Sequence, residues 1–303
     1  MKIETTKILE EAALFSLTRR SWGNSRQADK SKLKTSEDKQ DDEKTKRRIT
    51  VSKRLIDNCP QLDAIYEELG DLYHWCLGHS MQSCLREGVY FVRKSMILEF
   101  EERIENATKR IEEILVPEFL SVYHEAIDNA RDELNGYFRA EDYPSIREMA
   151  AKFGIRHAWL EFNVPKDLPE DVKKREAKKL REQMDTAVQE MVCTLRESFA
   201  SFVEELSRRL EVKPGTTGKR FTAPGAIDNL KDFISRFNSL NMANDTELAA
   251  AVAKARELVE TKDAGNVAHS EQSRQRIIAA VGEVKKTCAA LIEDMPARRF
   301  NLE

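Results

Sequence analysis

Between Ser95 and Asn135 the apolar residues Ile97, Phe100, Ile104, Ala107, Ile111 and Ile114 recur at intervals of three and four, with Glu, Arg and Lys between them. Little except a long amphipathic helix satisfies that spacing. Pro117 should bend this helix or remove one of its backbone hydrogen bonds. Beyond it Phe119, Val122, Tyr123, Ile127, Ala130 and Leu134 resume the stripe until Asn135 and Gly136 supply a stop. Forty-odd residues at 1.5 Å each would span roughly 60 Å. A second stretch of similar length runs from about Pro169 to Leu210, its buried side marked by Val172, Leu180, Met184, Ala187, Met191, Leu195, Phe199, Phe202, Leu206 and Leu210. Two helices of equal length in one chain pack most simply side by side, each covering the apolar stripe of the other. The expectation is therefore a mainly α chain built on a long antiparallel, coiled-coil-like helical hairpin. The 11 Gly and 8 Pro among 303 residues are too few for an all-β sandwich or barrel.

Around the hairpin the sequence places smaller elements. Residues Ala12 to Trp22 read as a short strand, Gly88 precedes the β-prone run Val89 to Val92, and Ile155 to Val164 alternates as a third strand. They predict a small two- to three-stranded β element. Leu62, Ile65, Leu69, Leu72 and Tyr73 mark a helix that opens at Asn58 and Pro60 and is interrupted at Gly78. Five consecutive segments follow: 1–24, an N-terminal strand segment; 25–48, a charged flexible loop nearly free of apolar residues; 49–211, the hairpin with its β element; 212–225, a linker rich in Gly and Pro; and 226–303, a C-terminal helical bundle. Asn244 and Glu247 resemble a capping box at the start of one of its helices.

The chemistry on offer is sparse. His74, Cys76, His79 and Cys84 form the one cluster of metal-capable residues. Structural zinc sites draw paired ligands from separate elements, whereas these four crowd into one short run, so the expectation is two thiols acting as small apolar groups and no bound metal. Gly215, Gly218 and Lys219 echo a phosphate-binding loop. However, the glycines stand too close together, Arg220 follows Lys219 where Ser or Thr is needed, and the preceding element is a helix. No Ser/His/Asp, Cys/His or paired-carboxylate spacing is present, so neither an enzyme nor a cofactor is expected. Two basic clusters, Lys46, Arg47 and Arg48 in the charged loop and Lys219 and Arg220 in the linker, are the candidate interaction residues.

Charge bounds the partners. Fifty basic against fifty-three acidic residues leave a net charge of −3, which removes the global field of a nucleic-acid coat or a polybasic membrane binder. Nucleic acid and membrane are accordingly not expected as partners. No run approaches ~20 uninterrupted apolar residues, and the start MKIETTKILEEAALF mixes acids where a secretory signal would be apolar. Five scattered cysteines fit reduced thiols, and the chain reads as cytoplasmic.

Several short motifs carry a family likeness. SLTRRSW ending at Trp22, the Lys53 to Asp57 segment KRLID, Gly88 to Val92, Phe119 to Tyr123 and Phe162 to Pro165 occur in the order of a family of uncharacterised bacterial, plasmid and phage proteins, which the first 165 or so residues resemble. Members of that family look like neighbours of MoxR-type AAA+ ATPases and von Willebrand A domain proteins in mobile elements. The resemblance implies a non-enzymatic scaffold or adaptor of a phage or mobile element, acting through protein contacts with such an ATPase or A-domain protein. The charged insertion 25–48 and the C-terminal helical part depart from the family pattern. Two other readings stay open at this level: a soluble form of a helical pore-forming or membrane-remodelling protein, and a nucleic-acid-binding accessory protein. Exposed coiled-coil faces would also permit self-association.

Overall fold

The computed structural model describes residues 5–29, 50–211, 223–261, 264 and 270–293. Most of the charged loop and most of the linker, with Lys46, Arg47, Arg48, Gly215, Gly218, Lys219 and Arg220, therefore lie outside the described residues. In chain order the elements are α1 (Thr5–Glu11), β1 (Ala12–Arg20), β2 (Ser25–Gln27), β3 (Ser52–Arg54), α2 (Pro60–Gly78), β4 (Met81–Gln82), β5 (Val89–Arg93), α3 (Ile97–Arg110), a π-helical turn (Ile111–Leu115), α4 (Val116–Leu134), α5 (Ile146–Ala150), β6 (Gly154–Leu160), α6 (Glu170–Leu210), α7 (Ala223–Leu240), α8 (Thr246–Val259) and α9 (Glu271–Glu293). The chain is mainly α.

The β content exceeds the expected two or three strands. One sheet has four, in the order β4-β5-β1-β6, and β2 and β3 form a separate antiparallel pair. The extra strands are two or three residues long, too short for an alternating pattern to register. β1 and β5 run antiparallel with Leu14 opposite Phe91, and β4 joins the other side of β5 with Met81 opposite Phe91. Gly88, at φ +74°, turns the chain into β5.

The chain divides into two compact units. The first comprises residues 1–16, 77–97 and 158–303; the second comprises 17–76 and 98–157. This partition replaces the expected hairpin. Ile104 belongs to the second unit and Met191 to the first, so the two long stripes belong to different compact units. It also cuts across the expected 49–211 segment.

In the first unit, α6 from Ala187 to Leu210 buries Val188, Met191, Leu195, Phe199, Val203, Leu206 and Leu210 at intervals of three and four. Its partners are α7, α8 and α9, which contribute Leu230, Phe233, Phe237, Leu248, Val252, Ile277, Val281 and Val284. The rings of Phe199 and Phe202 lie 5.7 and 5.3 Å from that of Phe233. Arg196, 3% exposed, fastens three helices: Nε donates to Asp245 Oδ2 at 2.6 Å, Nη1 to the Leu291 carbonyl at 2.8 Å and Nη2 to Glu247 Oε2 at 3.2 Å. Burial works against the guanidinium charge, and the hydrogen bond and charge of Asp245, with help from Glu247, more than offset it, so its pKa is raised. Asp245 also caps α8 by accepting from Leu248 N, one position beyond the expected Asn244. Asn244 takes a left-handed turn instead.

In the second unit, α2, the π-helical turn, α4, α5 and the residues after α5 contribute Leu62, Ile65, Leu69, Ile111, Phe119, Tyr123, Met149 and Phe153 to one core. Pro117 does not break the long helix. The π turn just before it absorbs one extra residue, and the helix continues with Pro117 near the start of α4. The extra residue rotates the stripe, so Leu115 and Val116 are buried while Ile114, expected inside, is 51% exposed. Three tyrosine hydroxyls donate to backbone carbonyls: Tyr66 to Trp22, Tyr123 to Pro144 and Tyr143 to Leu55, at 2.6, 2.9 and 2.8 Å. Burial pushes all three phenols up to about 12.

Candidate interaction surface

The metal-capable cluster does not assemble as a site. His74 is exposed and Cys76 buried on α2 in the second unit, whereas His79 is half-buried and Cys84 exposed in the first. Among the described residues, no three His, Cys, Asp or Glu side chains gather as ligands. Burial raises the Cys76 thiol to about 12, which keeps it protonated and apolar in character. Cys84 departs from the expected buried thiol. It is exposed, yet partial desolvation and a hydrogen bond to the Glu190 carboxylate raise it to about 11. All five cysteines are free thiols.

The residues that carry the family likeness serve the folding of each unit. Lys53 is buried, with Nζ 2.6 Å from Asp142 Oδ2 and donating to the Tyr137 carbonyl. Leu55 and Ile56 are core, and Arg54 and Asp57 pair at the surface. Phe119 and Tyr123 are fully buried, and Trp22 is 3% exposed.

One half of a helix stands outside the core of its own unit. From Glu170 to Thr186, α6 has no buried residue, although the pattern predicted Val172, Leu180 and Met184 inside. These three are half-buried, and full burial begins only at Ala187. At 1.5 Å per residue this outer half is about 25 Å long. Its helicity is local in origin. The run is rich in Glu, Lys, Arg, Ala, Leu and Gln, all strong helix formers, and Glu170 and Asp171 sit in the first turn where the helix dipole favours acids. Lys173 and Glu170 pair at 3.5 Å, Lys179 and Glu176 at 2.8 Å, and Lys178 and Glu182 at 3.8 Å. Pairs at these spacings each add about 0.2–0.5 kcal/mol to a helix.

Sequence reading passed over this surface. The run Lys173 to Arg181, KKREAKKLR, holds six basic residues against the four of KTKRR, but its apolar residues fit the same periodic template as the buried half. The signal that separates the two was present: apolar positions are sparse before Met184 and closely spaced after it.

Tyr73 and Trp75 on α2 each carry a guanidinium over the ring, from Arg19 at 4.5 Å and Arg103 at 4.6 Å, but stand two positions apart and so face different directions. They form no common site. Among the described residues no helix is long and apolar enough to cross a membrane. No family model matches the chain, and no curated protein and no solved structure matches it.

Proposed function

We propose that the chain is a non-enzymatic helical scaffold or adaptor that seats a macromolecular partner along the outer half of α6. The observation that carries this reading is a stretch of about 25 Å of helix that buries none of its residues in its own unit. An isolated helix of this length is marginal in water. Here it is held in register by the packed half that continues it, so it offers a pre-ordered rod whose ordering entropy is already spent when a partner arrives. The likeness over the first 165 residues makes a MoxR-type AAA+ ATPase or a von Willebrand A domain protein the first protein partner to try.

The test is site-specific photocrosslinking in the native host. A photoreactive residue replacing Lys178, on the exposed face of α6, should yield discrete macromolecular adducts. The same residue replacing Lys286, exposed on α9, should yield none. Adducts of equal yield at both positions, or none at either, would refute the reading.

A further inference from the structure

We propose that the cationic face of the outer half of α6 binds the phosphate backbone of nucleic acid, an assignment that rests on the adaptor reading and names one occupant for its surface. Between Lys173 and Arg181 the chain holds six basic residues and one acid, while the whole protein carries a net charge of −3. Positive charge is therefore concentrated here against the trend of the molecule. Lys174, Lys178 and Arg181 stand at i, i+4 and i+7 and share one helical face, with Arg175 beside Lys178 at a spacing of three. All four are exposed.

The single acid, Glu176, lies on the half-buried side toward Val172 and Leu180 and is paired with Lys179. Among the described residues no carboxylate lies within ion-pair distance of Lys174, Arg175 or Arg181. Among the described residues, the carboxylate paired with Lys178 is Glu182 at 3.8 Å, with both side chains well exposed. Such a pair contributes little and gives way readily to a stronger anion.

From Lys174 to Arg181 the helix rises about 10 Å. Duplex nucleic acid presents one phosphate per strand about every 3.4 Å of its axis, so roughly four phosphates of one strand lie along that span. A rigid row of cations thus meets a regular row of anions, and each neutralised phosphate releases condensed counterion. An acidic protein surface offers neither the regular array nor the counterion release, and exposed pairs to single carboxylates contribute about 0–1 kcal/mol each. An amphipathic helix that lies in a membrane interface buries a broad apolar face, commonly set with Trp, Phe or Leu. The opposite side of this half-helix has Val172, Ala177, Leu180 and Met184, no aromatic residue, and is partly occupied within the fold.

The experiment is fluorescence anisotropy of the full chain against a labelled 20-bp DNA duplex of arbitrary sequence, with an RNA duplex of equal length in parallel, between 50 and 200 mM KCl. Four phosphate contacts predict a slope of log K against log salt of about −3.6, a fall in affinity of roughly 150-fold across that range. The variant K174Q/R175Q/R181Q keeps good helix formers and should reduce the slope to about −0.9, with an unchanged far-UV circular dichroism spectrum. A salt slope of the expected size on either duplex, lost in the variant, supports the assignment and identifies which backbone is preferred. Absence of binding at 50 mM KCl, an unchanged slope in the variant, or retention on phosphatidylserine vesicles but not on duplex would overturn it. If duplex binding fails while Lys178 still crosslinks to a protein in the host, only the nucleic-acid assignment falls; if both fail, the adaptor reading falls with it.

Discussion

Replacing Arg196 with Met should cost the first unit more stability than the loss of any single exposed charge. Arg196 and Asp245 are 3% and 1% exposed, and the guanidinium reaches Asp245, Glu247 and the Leu291 carbonyl at once. Methionine fills most of the volume but leaves the Asp245 carboxylate buried without its cation. Breaking a buried pair from one side costs about 3–5 kcal/mol, because the surviving charge keeps its desolvation penalty. The double variant R196M/D245N removes both charges. Asparagine caps a helix about as well as aspartate, so the Leu248 N–H keeps its acceptor, and the remaining loss is the donor to Leu291, about 1–3 kcal/mol. The double variant should therefore be more stable than the single one by about 2 kcal/mol. Cys193 and Cys288 are buried in the same unit, so pulsed thiol labelling through a urea titration, read by mass spectrometry, reports its unfolding alone. A midpoint for R196M within about 1 kcal/mol of wild type, or a double variant no better than the single, would refute this account of the network.

Three further outcomes are expected. Ile111→Ala should destabilise the second unit by about 2–5 kcal/mol, whereas Ile114→Ser should stay within about 0.5 kcal/mol of wild type; equal effects in a urea titration would mean that the π turn does not set the phase of the stripe. Gly154→Ala should cost about 1–3 kcal/mol, since φ is +148° and an added Cβ would stand 2.9 Å from Arg20 Nη2, and a neutral midpoint would show that the strand relaxes freely. Cys84 is exposed but titrates at about 11, so below that pH each unit of rise should increase its thiolate fraction and its labelling rate about tenfold. Glu190→Gln removes the carboxylate that disfavours the thiolate and should speed labelling at pH 8; an unchanged rate would remove Glu190 from the account.

The helices were legible because their stripes are strong; which core each stripe fills was not. Phe100, Ile104, Ala107 and Ile111 are buried as their spacing implies. Ile114 departs because a π turn shifts phase by one residue, and nothing local marks that shift except Pro117 downstream. Asp245 took the cap that Asn244 was assigned, a displacement of one position that periodicity cannot resolve. Arg196 was invisible as a core residue, since a basic residue on a charged helix reads as solvated until its distant partners Asp245 and Leu291 are known to converge on it. Strand β4, Met81 and Gln82, was equally silent, because a two-residue strand exists only through its register with β5.

The misread hairpin has a physical origin that bears on the candidate surface. An apolar stripe states that a helix must be covered, but not by what, and two stripes of equal length satisfy one another only if no nearer cover is available. For α6 from Ala187 onward, α7, α8 and α9 follow in sequence and supply that cover, and fewer residues separate Leu210 from Ala223 than Leu134 from Glu170. The outer half has no such successor, and its apolar residues thin out to Val172, Leu180 and Met184 while cations accumulate on the opposite face. A sequence under selection only to complete the core would have no reason to extend the helix beyond it with that asymmetry, because each added exposed turn contributes at most a few tenths of a kcal/mol. The extension therefore makes physical sense as a recognition element, and its charge makes an extended polyanion the partner that gains most from its rigidity.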